Sequence, residues 1–289
     1  MAGSGWRRFH PFLNPTGQLR NGWWVLIYLF FVGAIHLPIG WALHTRGYTP
    51  TETQQNAIVC LVLALAAWPC QWLRRRPYAE LGLLPSSAWL KELLLGCLLG
   101  SILMLVPALA LAVISGFRWQ LNPAGSAFVG PDLELFLISA LGEELFCRGF
   151  IFQRLLDGLG VWPAQLIMAA FFLFTHWHNP GMTGVVRTLA GVNVFVASML
   201  FGWAFLRTRR LGLPLGIHWF ANWTQGGLLG LGVSGHQTTG LFTPVRTPGP
   251  DWWTGGPFGL EASIPGLLCV LGMTIVLARQ SPAPPARSG

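Results

Sequence analysis

Charge is what this sequence has least of. Of its 289 residues only 10% are Asp, Glu, Lys or Arg, while 53% are hydrophobic; soluble domains carry about 25% charged residues. That shortage excludes an ordinary solvated surface and leaves an integral membrane protein. Cysteine is scarce as well. Cys60, Cys70, Cys97, Cys147 and Cys269 fall in or beside apolar runs without C-x-x-C spacing, which argues against a disulfide framework or a cysteine metal site. They read as small core residues, and only Cys147 sits among charged neighbours. Also absent are a G-x-S-x-G elbow, a phosphate-binding glycine loop, the H-E-x-x-H zinc pair, internal repeats and any soluble domain.

What is present fits the membrane class. Fifteen Trp, 21 Pro and 36 Gly suit a setting where Trp gathers at interfaces and Gly and Pro are tolerated in spanning helices. Apolar runs near the spanning length of about 20 residues occur at Gly22–Leu43, Gln55–Leu73, Trp89–Ser115, Pro131–Leu156, Trp162–Trp177, Thr188–Leu206, Gly212–Leu231 and Ala262–Ala278. The reading is all-α: a polytopic bundle of about eight transmembrane helices around a buried polar cavity. The net charge of +8 lies between the runs, so it sets topology and implies no nucleic-acid partner. Arg7, Arg8, Arg20, Arg74, Arg75, Arg76, Lys91, Arg154, Arg207, Arg209, Arg210, Arg279 and Arg287 fall on one side. Arg46, Arg118, Arg187 and Arg246 fall on the other. The positive-inside rule then puts both termini in the cytoplasm, and the first run reads as a retained span, since no Ala-x-Ala cleavage site follows it.

Three regions are expected. Residues 1–130 form an N-terminal membrane region of three spans plus an interfacial segment, Pro77–Ser87. Residues 131–279 form the main membrane core, with a long outer loop over Val233–Pro257. Residues 280–289 are a disordered tail. The G-x-x-x-G spacings Gly96/Gly100 and Gly226/Gly230 match close helix packing, although so glycine-rich a chain produces them by chance.

The informative residues are the polar ones inside the spans, where a charge costs roughly 2.5–3.5 kcal/mol. In "GEELFCRGF", Glu144 and Arg148 stand i, i+4 on one helix face, the acid N-terminal as an ion pair prefers; Glu143 points about 100° away. In "FFLFTHWHNPG", Phe172 and His176 are also i, i+4, and His178 reads as an interfacial anchor. In "GIHWFANWTQG", His218 and Asn222 share a face and offer a donor pair for an oxyanion or carbonyl. Taken alone, the His218/Asn222 pair serves equally as helix–helix glue, while the Glu144–Arg148 pair has an ion-paired helix contact as its plainer alternative. Together, a carboxylate base, an imidazole and two donors are the parts needed to hydrolyse a carbonyl with activated water.

These motifs, Glu143-Glu144-x-x-x-Arg148, Phe172-x-x-x-His176 and His218-x-x-x-Asn222 in that order, resemble the CPBP family of CAAX proteases and bacteriocin-processing enzymes, also called ABI, and are similar to the type II CAAX prenyl endopeptidases. "NWTQGGLLGLGVSG" and "GPDWWTGGPFGLEAS" look like the C-terminal region of many bacterial members. The resemblance covers Leu133 to about Ala278. It implies a glutamate-dependent intramembrane endopeptidase acting on membrane-associated or lipidated peptides in a bacterial plasma membrane. By position Glu143 is the base, helped by His176; His218 and Asn222 form the oxyanion hole; Arg148 fixes Glu144; Phe172 supports the site. No cofactor is expected, zinc on Glu143, His176 and His218 being the disfavoured version.

The competing reading is a non-enzymatic membrane protein, an immunity factor, scaffold or transporter, that uses the same polar cluster for binding. Depth supplies one tension. Counted at 1.5 Å per residue from the inner ends, Glu143 and His176 lie about 21 Å deep and His218 only about 10 Å. Either "LGLPLG", with Pro214 and Gly216, dips into the membrane before its helix begins, or the inner boundaries are off by two turns. A shared cavity requires His218 within about 10 Å of the Glu143 carboxylate, one water's relay.

Overall fold

A computed structural model describes residues 10–245 and 249–280. The expected tail and the charges Arg7, Arg8, Arg246 and Arg287 lie outside the described residues, apart from Gln280. Three long helices come first: α1 (Asn21–Thr45), α2 (Glu52–Leu73) and α3 (Ser87–Ser115). Their boundaries follow from capping. Thr51 and Gln54 make a capping box before α2, satisfying two otherwise orphaned amides reciprocally. Ser86 caps α3 by accepting from the amide of Trp89, and Gly116 ends it at φ +66°, a left-handed conformation that glycine adopts without a Cβ clash.

The fourth apolar run becomes α4 (Val129–Glu144), a π-helical segment (Leu145–Gly149) and α5 (Phe150–Leu159). Next come α6 (Val161–His176), α7 (Gly184–Thr208), and α8 (Gly212–Trp223) with a second π-helical segment at Thr224–Leu228. A short turn, α9 (Asp251–Thr254), and α10 (Ile264–Ala278) complete the order. By length and apolarity four of these, α1, α2, α3 and α7, are able to cross a membrane. The helices α6, α8 and α10 are shorter, and the α4–α5 rod is interrupted. The protein is mainly helical but not purely so. A two-stranded antiparallel sheet pairs β1 (Arg118–Leu121) with β2 (Phe242–Val245), Arg118 opposite Val245 and Leu121 opposite Phe242. Four-residue strands so far apart in the chain leave no local alternation to read, which is why the all-α expectation misses them.

The spacing that looked accidental has a purpose in α3. A Cβ built on Gly96 would stand 2.5 Å from the carbonyl oxygen of Leu213 and 2.9 Å from Cα of Gly216; one on Gly100 would stand 2.9 Å from the amide nitrogen of Ala221. Backbone therefore meets backbone along α3 and α8, an approach only small residues permit. Residues Leu211 to His218 are all buried, so α8 starts inside the protein body. "LGLPLG" is thus packed against protein, and it is helical from Gly212 rather than broken. The indole N–H of Trp219 donates to the carbonyl of Leu133 at 2.9 Å, tying α8 to α4.

The two poles of the bundle differ. At one, Arg210 pairs with Glu92 and Arg154 with Asp157, and the amide of Leu211 donates to the carbonyl of Gly82 at 2.9 Å. At the other lie the ends of α3 and α6, the start of α4, the β1–β2 sheet and the 233–245 loop, joined by Asn179 Nδ2 donating to the carbonyl of Ser234 at 2.9 Å. The basic residues expected on one side, from Arg74 to Arg210, gather at the first pole.

Candidate active site

Glu143 and Glu144 end α4, just before the chain widens into its π-helical turn. Such turns insert one extra residue and often occur at functional sites. Glu144 faces inward and is fully buried, whereas Glu143 is 35% exposed. Arg148 donates from Nη1 to Glu144 Oε1 at 3.2 Å, and from Nη2 to the carbonyl and hydroxyl of Ser198 at 2.8 and 2.9 Å. Its guanidinium lies 5.1 Å from the Phe201 ring and 5.4 Å from the Phe172 ring, where aromatic faces favour a cation. The ion pair anticipated from i, i+4 spacing is present, and it continues further than expected.

His218 supplies the continuation. Its Nδ1 lies 2.9 Å from Glu144 Oε1; a carboxylate oxygen accepts, so Nδ1 carries hydrogen. Nε2 lies 3.7 Å from Glu143 Oε2, beyond direct hydrogen bonding but within the limit set for one cavity. The imidazole stacks on Phe201 at 4.6 Å and 12°, and Phe172 meets it edge-on at 6.3 Å. One line therefore runs from the buried Arg148, Glu144 and His218 to the partly exposed Glu143. The depths counted from the inner ends, about 21 and 10 Å, are thus unequal for two side chains that the fold brings within 3.7 Å.

His176 ends α6 with Nδ1 2.8 Å from the carbonyl of Phe172. A carbonyl only accepts, so Nδ1 donates and Nε2 is free of that bond. Its ring packs on Phe172 at 4.4 Å. Glu143, His176, His218 and Asn222 all line one cavity of about 750 Å³, as does Cys147. Asn222 lies one turn beyond His218, and Glu143 Oε2 and Glu144 Oε2 are buried without a hydrogen-bond partner among the described residues. His178 is exposed beside the chain turn, in keeping with an anchor.

Some participants escaped the motifs. Ser198, Phe201 and Asn193 on α7, and Gln225 beyond α8, are all buried, so buried polarity is not the monopoly of the three motifs. Their only sequence signal is polarity within an apolar run, which Ser198 and Asn193 do carry. Glu261, in the turn before α10, accepts from Gln225 Nε2 at 2.9 Å and from the amide and hydroxyl of Ser234 at 3.2 and 2.9 Å. Burial pushes its carboxyl above the ordinary range, against the pull of the Ser234 and Gln225 bonds. Among the described residues no three of His, Cys, Asp and Glu gather as a metal site. With Nδ1 of His218 held by Glu144, its Nε2 is the nitrogen left facing Glu143.

Residues 126–224, the segment that holds all three motifs, match the family described as type II CAAX prenyl endopeptidase Rce1-like. Neither the curated proteins nor the solved structures give a match. Apolar helices able to cross a bilayer make the chain an integral membrane protein, and its residues 126–224 are similar to the type II CAAX prenyl endopeptidases.

Proposed function

We propose that the protein is an intramembrane endopeptidase that cleaves membrane-associated or lipidated peptides with activated water and no metal. The observation carrying this is the 3.7 Å approach of Glu143 Oε2 to His218 Nε2 on the wall of the 750 Å³ cavity. Water bound between Glu143 and His176 gives a proton to the Glu143 carboxylate, while the bare Nε2 of His176 orients it. The hydroxide attacks the peptide carbonyl, and the oxyanion is met by the Asn222 amide and by Nε2–H of His218. For that donation His218 must be the imidazolium, a charge that Glu143 and Glu144 flank on both nitrogens. Collapse breaks the C–N bond, and Glu143 returns its proton to the leaving amine. Glu144 holds His218 in place, and Arg148 and Phe172 hold Glu144 and the rings.

The reading also takes the bundle to cross the membrane eight times with both termini cytoplasmic, in a bacterial plasma membrane. The test incubates the purified full-length chain with a membrane proteome and identifies new termini by mass spectrometry. New termini should form with the native chain, persist with chelator present, and fall about 10²–10⁴-fold with Glu143→Gln, the usual contribution of a general base. The same termini from Glu143→Gln at the same rate would remove the assignment, and loss on chelation with recovery on zinc would restore a metal.

A further inference from the structure

The cavity is long, and its two ends differ chemically. Along α4 the side chains of Asp132, Phe136, Ser139 and Glu143 face it, at helical three- and four-residue steps. Asp132 lies 11 residues before Glu143, about 16 Å along the axis, the length of about five residues of extended chain. Across the cavity, Asn193, Ala197 and Phe201 line the wall from α7, again four residues apart. Phe201 stacks on His218, so Asn193 sits about 12 Å further along, toward the same end as Asp132.

That far end carries carboxylates and no balancing cation. Glu52, at the start of α2, and Asp132 line it, and among the described residues no lysine or arginine faces the cavity. Glu261 also faces in, but its oxygens are committed to Ser234 and Gln225. A second, independent sign of a ligand lies between the two ends. Asn193 is 2% exposed, lines the cavity, and its Nδ2 has no hydrogen-bond partner. A buried donor left unmatched is costly, which marks a place for an acceptor such as a peptide carbonyl.

Resting on the peptidase reading above, we infer that the cavity takes an extended peptide bearing a lysine or arginine about five residues from the scissile bond, a backbone carbonyl on Asn193 Nδ2 and the cation between Glu52 and Asp132. A segment ending in a free carboxylate would meet only like charge at this end. Substrate choice is then set by charge complementarity, which suppresses wrong partners by repulsion.

The test measures binding first, on full-length protein in lipid nanodiscs. The probes are fluorescein-labelled twelve-residue peptides of alanine and leucine carrying one Lys, one Gln or one Glu, titrated onto Glu143→Gln so that turnover does not intervene. The Lys peptide should bind about 10-fold tighter than the Glu peptide, a difference of about 1.4 kcal/mol. That preference should collapse in Asp132→Asn and in Glu52→Gln, the second at an exposed helix start that tolerates change, and survive in the exposed Glu134→Gln. Asn193→Ala should weaken Lys and Gln peptides alike, about fivefold. Equal binding of Lys and Glu peptides, or a Lys preference that survives the Asp132→Asn/Glu52→Gln double change, overturns the inference. An intact Lys preference with no cleavage by the native chain overturns the peptidase reading alone.

Discussion

Helices α1 and α7 are each 25 residues long with the same mean hydropathy of 1.9, yet 6% of the apolar stretch is buried in α1 and 67% in α7. Hydropathy therefore reports that a helix suits lipid, not whether lipid or protein surrounds it. Lipid tails are as apolar as leucine, so exposing Phe30, Leu37 and Trp41 on α1 costs nothing in a bilayer. What makes α7 a core helix is its small and polar residues. Ser198 receives Arg148, Asn193 reaches the cavity, and Gly202 makes room for Gln165: a Cβ there would stand 2.8 Å from the Gln165 amide carbon.

Substitutions can break this contrast at several levels. The largest effect is expected at Glu143, beside α7's Phe201–His218 stack, where Glu143→Gln removes turnover by about 10²–10⁴-fold. Its melting temperature should stay near the native value, since a neutral amide replaces a carboxylate that has no hydrogen bond; peptide cleavage and a thermal scan read both. Next comes Glu144→Gln, which leaves Arg148 and His218 without their shared countercharge. Breaking a buried pair costs about 3–5 kcal/mol, so yield on extraction and melting temperature should both fall. A stable, inactive Glu144→Gln beside an active Glu143→Gln would exchange the roles of the two carboxylates.

Smaller effects compare the helices themselves. Gly202→Leu on α7 forces bulk against Gln165 and should destabilise by about 1–3 kcal/mol, the usual cost of overpacking. Gly33→Leu on α1, where a Cβ meets nothing within 4 Å, should stay within about 0.5 kcal/mol. Thermal melts of the two variants in one detergent decide it. Equal losses would mean that α1 is covered by a partner and is not lipid-facing.

Much of the site was legible in the chain because helices turn spacing into direction. The i, i+4 steps put Arg148 on the Glu144 face and Asn222 on the His218 face, and the cost of charge in lipid singled out the acidic pair. Four long spans followed from apolar length alone. The glycine pair at 96 and 100 was visible too, but its meaning depended on what lies opposite.

Sequence by itself determined the membrane class, the order of the helices and which residues share a face, since each follows from composition or from a period of 3.6 residues. Only the tertiary structure decided that His218 bridges both glutamates, that Ser198 and Phe201 complete the Arg148 cradle, and that Asn193 looks into the cavity from α7. Those contacts join residues 50 to 75 positions apart. Their geometry depends on how closely α3 and α8 approach, which glycine backbones permit and no local pattern encodes.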